Sequence, residues 1–158
     1  MNIPALRLLF EYDPETGILT RNSTGRPCGS PHGKGYLRVN AGVHGMIYAH
    51  RLAFALHHGY LPAVVDHMDR NRLNNRIENL RACVQAENCC NRVKQLEGAS
   101  SQHKGVHFEK QTQKWRALIK TNGRKISLGR FETEEQAARA YDEAAEKYHK
   151  QFGVKNNV

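Results

Sequence analysis

No apolar run of about 18 residues occurs anywhere in the chain, so no membrane-crossing helix is expected. The opening stretch, MNIPALRLLFEYD, has no basic start, long apolar run or small-residue cleavage site, so no secretory leader is expected. Cysteine is scarce: Cys28, Cys83, Cys89 and Cys90 include no C-x-x-C pair, and the adjacent two would diverge on a helix. That argues against a disulfide framework or a zinc knuckle and fits a reducing, cytoplasmic setting. Aromatic residues make up 8%, so no single large core stands out, and 158 residues suit one ordinary domain or two small ones. Acidic residues are the scarcer sign, 15 against 24 Lys and Arg, a net charge of +9. A polyanionic partner follows, because each phosphate neutralised by Lys or Arg releases condensed counterions.

Residues 5–49 read as short strands joined by tight turns. Leu8, Leu9 and Phe10 lead into Tyr12-Asp13-Pro14-Glu15-Thr16-Gly17, a strong turn signal, and Ile18-Leu19-Thr20 returns as a strand. Gly25–Gly35 reads as an exposed loop; Gly33, Lys34 and Gly35 suit a flexible surface or a backbone approach to phosphate. Gly35–Val39 and Gly45–Tyr48 form another predicted hairpin. His50–His58 is helical by pattern, with Leu52, Ala55 and Leu56 on one face and Gly59 as its stop. His50, at its start, is a candidate for touching a phosphate or supporting a site.

The stretch Val64–Arg92 carries the most chemistry. Ala63-Val64-Val65 reads as a short buried strand delivering Asp66 and His67, whose side chains diverge by strand alternation. A polar loop follows, with Arg70, Arg72 and Arg76 in or beside it as candidate phosphate contacts. Leu80–Cys83 reads as a second strand and Gln85–Val93 as a helix carrying Asn88, so the expected unit is ββα. A carboxylate and an amide oxygen suit a hard divalent cation and leave positions for phosphate and water. A neutral imidazole can take a proton from the attacking water, and a second amide can orient it.

The segments IYAHRLAF, VVDHMDRNRLNNRIENLR and AENCCNR, over residues 47–92, resemble the HNH endonucleases of phages and mobile introns. FEYDPETGILT and GYLRV resemble that family's lead-in. The resemblance implies that Asp66 and Asn88 bind the metal, that His67 is the general base, and that Asn79 orients it. An Asn rather than a His at position 88 implies Mg²⁺ or Mn²⁺ rather than zinc. Asn74, Asn75 and Asn91 also match family positions and are expected to make loop hydrogen bonds.

Residues 94–102 read as a linker. Beyond it, Gly105–Phe108, Lys114–Lys120 and Lys125–Gly129 read as three strands, the last two joined across an Asn122-Gly123 turn. Trp115, Ala117 and Ile119 share one face with Ile126 and Leu128; Arg116, Leu118 and Lys120 share the other. Thr133 and Gln136 form a predicted capping box, and Ala137, Ala140, Tyr141, Ala144 and Tyr148 a stripe that packs the helix on the sheet. Residues 102–130 carry a net charge of +7 and residues 131–150 a net charge of −3. The sheet is therefore basic and the helix acidic, and a sheet of this size can enter a major groove.

KGVHF, KWRALIK, ISLGRFETEEQAARAYDEAA and FGVKNNV resemble the AP2 DNA-binding domain of plant ethylene-response factors. The resemblance implies DNA contacts from Lys104, His107, Arg116, Leu118, Lys120, Lys125 and Ser127. Phosphate contacts are expected from the lysines and base reading from Arg116 or Arg124. His107, Leu118 and Ser127 stand where plant members carry Arg, Glu and Trp, so the plant target sequence does not transfer.

The expected fold is α+β. A ββα-metal nuclease unit occupies 1–93, with a β-rich lead-in at 5–49 and its core at 63–93. A three-stranded antiparallel sheet on one helix occupies 103–157. The expected function is metal-dependent cleavage of double-stranded DNA by a monomer or weak dimer, homing-type, nicking, and of phage or mobile-element origin. The alternative is a sequence-specific DNA-binding regulator with an inactive nuclease domain. An RNA-binding factor is disfavoured by the few aromatics on the exposed strand faces.

Overall fold

The computed structural model describes residues 2–33, 35–91 and 98–158. The chain forms two compact units, Met1–Gln85 and Ala86–Val158. Both mix helices with small antiparallel sheets.

The first unit opens with a helix, α1 (Ile3–Leu9), where short strands were expected. Asn2 caps it, accepting from the Ala5 amide at 3.2 Å, and Pro4 sits in the first turn, where its missing N–H costs nothing. The chain then extends as β1 (Phe10–Tyr12), turns through Asp13–Gly17, and returns as β2 (Leu19–Arg21) beside a short β3 (Arg26–Pro27). Inside the turn the Asp13 carboxylate accepts from the Glu15 amide at 2.9 Å and the Thr16 hydroxyl at 2.6 Å. The second sheet orders β4 (Ser30–His32), β5 (Tyr36–Asn40) and β6 (Met46–Tyr48) side by side, so the expected 35–48 hairpin forms. The segment expected as loop, Gly25–Gly35, is largely exposed but contributes β3 and β4; Lys34 lies outside the described residues.

Helix α2 (Ala49–His58) is more central than its one-faced pattern implied. Leu52 and Leu56 join Leu6, Phe10, Leu19, Val39 and Ile47 in one buried cluster. Ala53 and Phe54 join Val65 and Leu80 in another. One helix thus serves two small cores, and Gly59 ends it in the left-handed conformation that favours glycine. Beyond it, β7 (Val64–His67) pairs antiparallel with β8 (Leu80–Cys83).

In the second unit, α3 spans Gln85–Cys90, beginning on the last residue of the first; residues 92 and 93, expected to extend it, lie outside the described residues. The same holds for residues 94–97 of the expected linker. Its later part is bonded within the second unit: Ser100 Oγ accepts from the Phe108 amide at 3.0 Å, and Ser101 Oγ from the His103 amide at 2.9 Å. Strands β9 (Val106–Glu109), β10 (Lys114–Thr121) and β11 (Arg124–Phe131) form a sheet with β10 at its centre. Val106, Ala117 and Ile119 face α4 (Glu134–His149), with Ile126 and Leu128 beside them. The buried helix stripe is Ala137, Ala138, Tyr141, Ala144, Ala145 and His149, rotated from the predicted one, and Tyr148 is exposed. Small residues let helix and sheet lie close. Gly105 does the same from below: a Cβ there would stand 2.1 Å from the Tyr141 ring.

The Thr133–Gln136 capping box is present, with the Thr133 hydroxyl accepting from the Gln136 amide at 3.3 Å. Replacing Thr133 with Ala should destabilise the second unit by about 1 kcal/mol, read as a lowered urea midpoint with an unchanged slope.

Candidate functional site

The β7–β8 pair places the chemistry of the first unit. Its register sets Asp66 opposite Arg81 and His67 opposite Leu80. The Asp66 carboxylate is buried, 7% exposed, and Arg81 donates to its Oδ2 from Nη2 at 2.7 Å and from Nε at 3.0 Å. Such a charge tolerates burial only when paired and hydrogen-bonded. Arg81 was not among the expected site residues; only the cross-strand register reveals it.

His67 is 4% exposed, and its Nε2 meets the side-chain oxygen of Asn75 at 3.1 Å. An amide oxygen only accepts, so Nε2 carries the hydrogen and the lone pair of the neutral ring lies on Nδ1. Burial lowers the ring below the ordinary histidine range, against the Asn75 bond and the carboxylates of Asp69 and Asp66. His67 is therefore neutral at neutral pH.

The expected orienting residue, Asn79, bonds elsewhere. Its Nδ2 donates to Asp69 Oδ1 at 2.9 Å and to the Asn74 carbonyl at 2.8 Å, while its oxygen accepts from the Asp69 amide at 2.9 Å. Asp69 also accepts from Asn74 Nδ2 at 2.7 Å and from the Asn71 amide at 2.7 Å. Burial works against that carboxylate, but the bonds from Asn74, Asn71 and Asn79 together hold it below the usual range. Asn79 closes the loop, and the closed loop presents Asn75 to the imidazole. The amide that meets the imidazole is that of Asn75, eight positions beyond His67, while Asn79 stays at the loop base.

His50 is buried, 7% exposed, with its ring centre 4.9 Å from that of His67. Tyr36 stands 5.3 Å and Tyr48 5.6 Å from it. Burial, then the neighbouring His67 and Arg51, pull His50 down to about 3. It therefore packs against His67 as a neutral ring and is not an exposed phosphate contact. Arg72 lies over Tyr36, its guanidinium carbon 4.9 Å from the ring centre. Arg70 is exposed with φ 66°, and Arg76 is exposed near Glu78. Asn88, the second expected metal ligand, lies on α3 in the second unit.

In the second unit, the sheet face opposite α4 carries His107, Glu109, Arg116, Leu118, Lys120, Lys125 and Ser127. Strand pairing groups them, with His107 opposite Arg116, Leu118 opposite Ser127, and Lys120 opposite Lys125. Two expectations change. Arg124 pairs with Thr121 and so shares the side of Ile119, away from Arg116. Lys104 is half-buried, and its ammonium donates to the Cys90 carbonyl at 2.6 Å. In exchange Arg130, opposite Arg116, joins the open face. Glu109 bonds both arginines, Arg116 Nη1 at 3.4 Å and Arg130 through Nε and Nη2. The Arg130 bond, with one from Thr112, holds Glu109 down at about 2.

Residues 47–89 match the family model for HNH endonucleases, and residues 101–151 match the AP2 domain model. Residues 47–89 are thus similar to HNH endonucleases and residues 101–151 to AP2 domains. It is 32% identical over 117 residues to an uncharacterised HNH endonuclease of Acanthamoeba polyphaga mimivirus, covering 72% of this chain and 59% of that protein. Over 49 residues, 31% of the chain, it is 47% identical to an AP2-like ethylene-responsive transcription factor of Arabidopsis thaliana, covering 10% of that protein. An APETALA2-like protein of Oryza sativa matches at the same identity, over 11% of its length. The chain thus spans about three-fifths of the viral relative and about a tenth of the plant factors. A solved structure of the HNH homing endonuclease I-HmuI, determined for DNA binding and cleavage, aligns at TM-score 0.46 and 25% identity, over 82% of this chain and 75% of that one. Among the described residues no helix is long and apolar enough to cross a membrane.

The neutral burial of His50 has a pH consequence. Above about pH 6.5 the ring is neutral whether the chain is folded or not. Below that the unfolded chain takes up the proton first, so stability is lost progressively as the pH falls from about 6.5 towards 3. Between pH 7 and pH 5 wild-type protein should lose about 2 kcal/mol more unfolding free energy than His50→Gln. Urea titrations at the two pH values check this.

Proposed function

We propose that this chain is a metal-dependent, homing-type DNA endonuclease in which the N-terminal unit cuts and the C-terminal unit holds duplex DNA. The observation that carries this reading is the state of His67: a buried, neutral imidazole tethered at Nε2, next in the chain to a buried carboxylate. A ring held in that tautomer is fitted to accept a proton from the attacking water at Nδ1. As expected ligands, the carboxylate of Asp66 and the amide oxygen of Asn88 are each hard donors, of the kind that suits Mg²⁺ or Mn²⁺ better than zinc. Bound there, such a cation would stabilise the charge that develops on the phosphate and on the leaving oxygen. Arg81 engages Oδ2 of Asp66 and holds the carboxylate in place. Arg72 and Arg76, on the exposed loop, suit phosphates flanking the scissile one.

The open face of the β9–β11 sheet supports duplex binding. Lys120 and Lys125 suit the phosphate backbone, and Arg116 and Arg130 suit base edges in the major groove. One hydrolytic site per chain gives nicking, with double-strand breaks needing a dimer or two events. Action in the cytoplasm of a bacterial host cell, by a product of a phage or another mobile element, is part of this proposal.

One observation favours the alternative of a DNA-binding regulator with an inactive nuclease domain: Arg81 already neutralises Asp66, which weakens its pull on a cation. Supercoiled plasmid incubated with and without Mg²⁺ separates the two readings, since only the nuclease gives relaxed circles. His67→Ala should lower the nicking rate by about 10²–10⁴-fold while gel retention of the same DNA is unchanged. Normal cutting by that variant rules out His67 as the base. Lys120→Ala should weaken binding about equally across sequences and reduce the log–log salt slope by about 1 in a filter-binding titration.

A further inference from the structure

The turn that follows β1 lies far from the β7–β8 loop in sequence and is bonded directly to it. The Tyr12 hydroxyl donates to the backbone carbonyl of Asn75 at 2.7 Å, across 63 residues of chain. The Ile77 amide donates to the Pro14 carbonyl at 3.1 Å. Gly17 comes so close that a Cβ would stand 2.6 Å from both the Asn75 carbonyl carbon and the Arg76 nitrogen, and its φ of +76° already favours glycine.

Asn75 is therefore held at both ends: its side-chain oxygen meets His67, and its carbonyl is fixed by Tyr12. It is 4% exposed, so water does not readily replace either partner. The Tyr12 ring packs against both hydrophobic clusters of the first unit, so the core sets where its hydroxyl stands. Burial, with the nearby Asp13, pushes that hydroxyl up to about 12, and it remains a donor throughout the physiological range.

We propose that Tyr12 is a positioning residue for hydrolysis, acting through Asn75 to hold the His67 ring in its productive tautomer and orientation, with Gly17 permitting the close approach this requires. The inference rests on the nuclease reading for its rate consequence, but not for its geometry. Asp69, Asn74 and Asn79 tie the loop on itself, whereas Tyr12 ties it to the core. The second connection, with the Ile77–Pro14 bond beside it, fixes Asn75 relative to the scaffold that also carries β7.

The experiment compares full-length wild type, Tyr12→Phe and Gly17→Ala, with Ile47→Val as a packing control of comparable stability loss. Plasmid nicking with Mg²⁺ gives kcat and KM, and ¹⁵N NMR of the histidine side chains reports the His67 tautomer. Tyr12→Phe keeps the ring and removes one hydroxyl. Its kcat should fall about tenfold, with KM and gel retention unchanged, and the Nε2–H signature of His67 should give way to a tautomer mixture. Gly17→Ala should show the same pattern, more strongly, and Ile47→Val neither change. A Tyr12→Phe enzyme with wild-type kcat and tautomer, or one no worse than Ile47→Val, overturns the inference. If wild type itself does not nick, the nuclease reading fails, while the tautomer comparison still decides whether Tyr12 positions the ring.

Discussion

A pair of four-residue strands has little to hold its register, and among the described residues β7 and β8 form a two-stranded sheet of their own. A slip by one residue would turn every side chain to the opposite face. The buried Asp66–Arg81 ion pair opposes that slip, because any other register strands two charges in a desolvated setting. Such a pair adds little net stability. Its value here is selectivity among alternative pairings. With Asp66 opposite Arg81, His67 must fall opposite Leu80, beside Val65 and Phe54 of the smaller core, and the loop leaving β7 must return at Leu80. That alignment sets where the imidazole stands, and Asn75 and His50 meet it there.

Much of this arrangement was legible as residue types and spacing. The strand carrying Asp66 and His67, the returning strand at Leu80–Cys83, the β10–β11 hairpin across Asn122-Gly123 and the Thr133 cap all rest on local rules of alternation, turn chemistry and capping, and each formed. What escaped was non-local. That Asn75 rather than Asn79 meets the imidazole depends on how an Asn-rich loop distributes its amides among several acceptors. A run containing Asn71, Asn74, Asn75 and Asn79 does not encode that choice by spacing. Arg81 and Arg130 were missed because their partners are defined by cross-strand register. The opening helix departs from the expected strands because Leu8 and Leu9 beside Phe10 suit either period over so short a stretch, and its cap at Asn2 decides for the helix.

The two units are built on different economies of packing. The first uses Leu, Phe, Val and Ile around a central helix, and puts its polar chemistry in loops fastened by amides. The second closes its core with alanines, so that a helix can lie close beneath a sheet whose other face is left to polar groups. A stiff platform of that kind keeps its lysines and arginines at fixed spacing, which is what recognition of a regular polymer needs.

Glu109 stands out on that platform as an acid among bases, bridging Arg116 and Arg130. Two long side chains tied to one carboxylate have given up most of their wandering before any duplex arrives. The same carboxylate cancels part of the charge of both guanidiniums, so the face is less cationic than its count of lysines and arginines suggests.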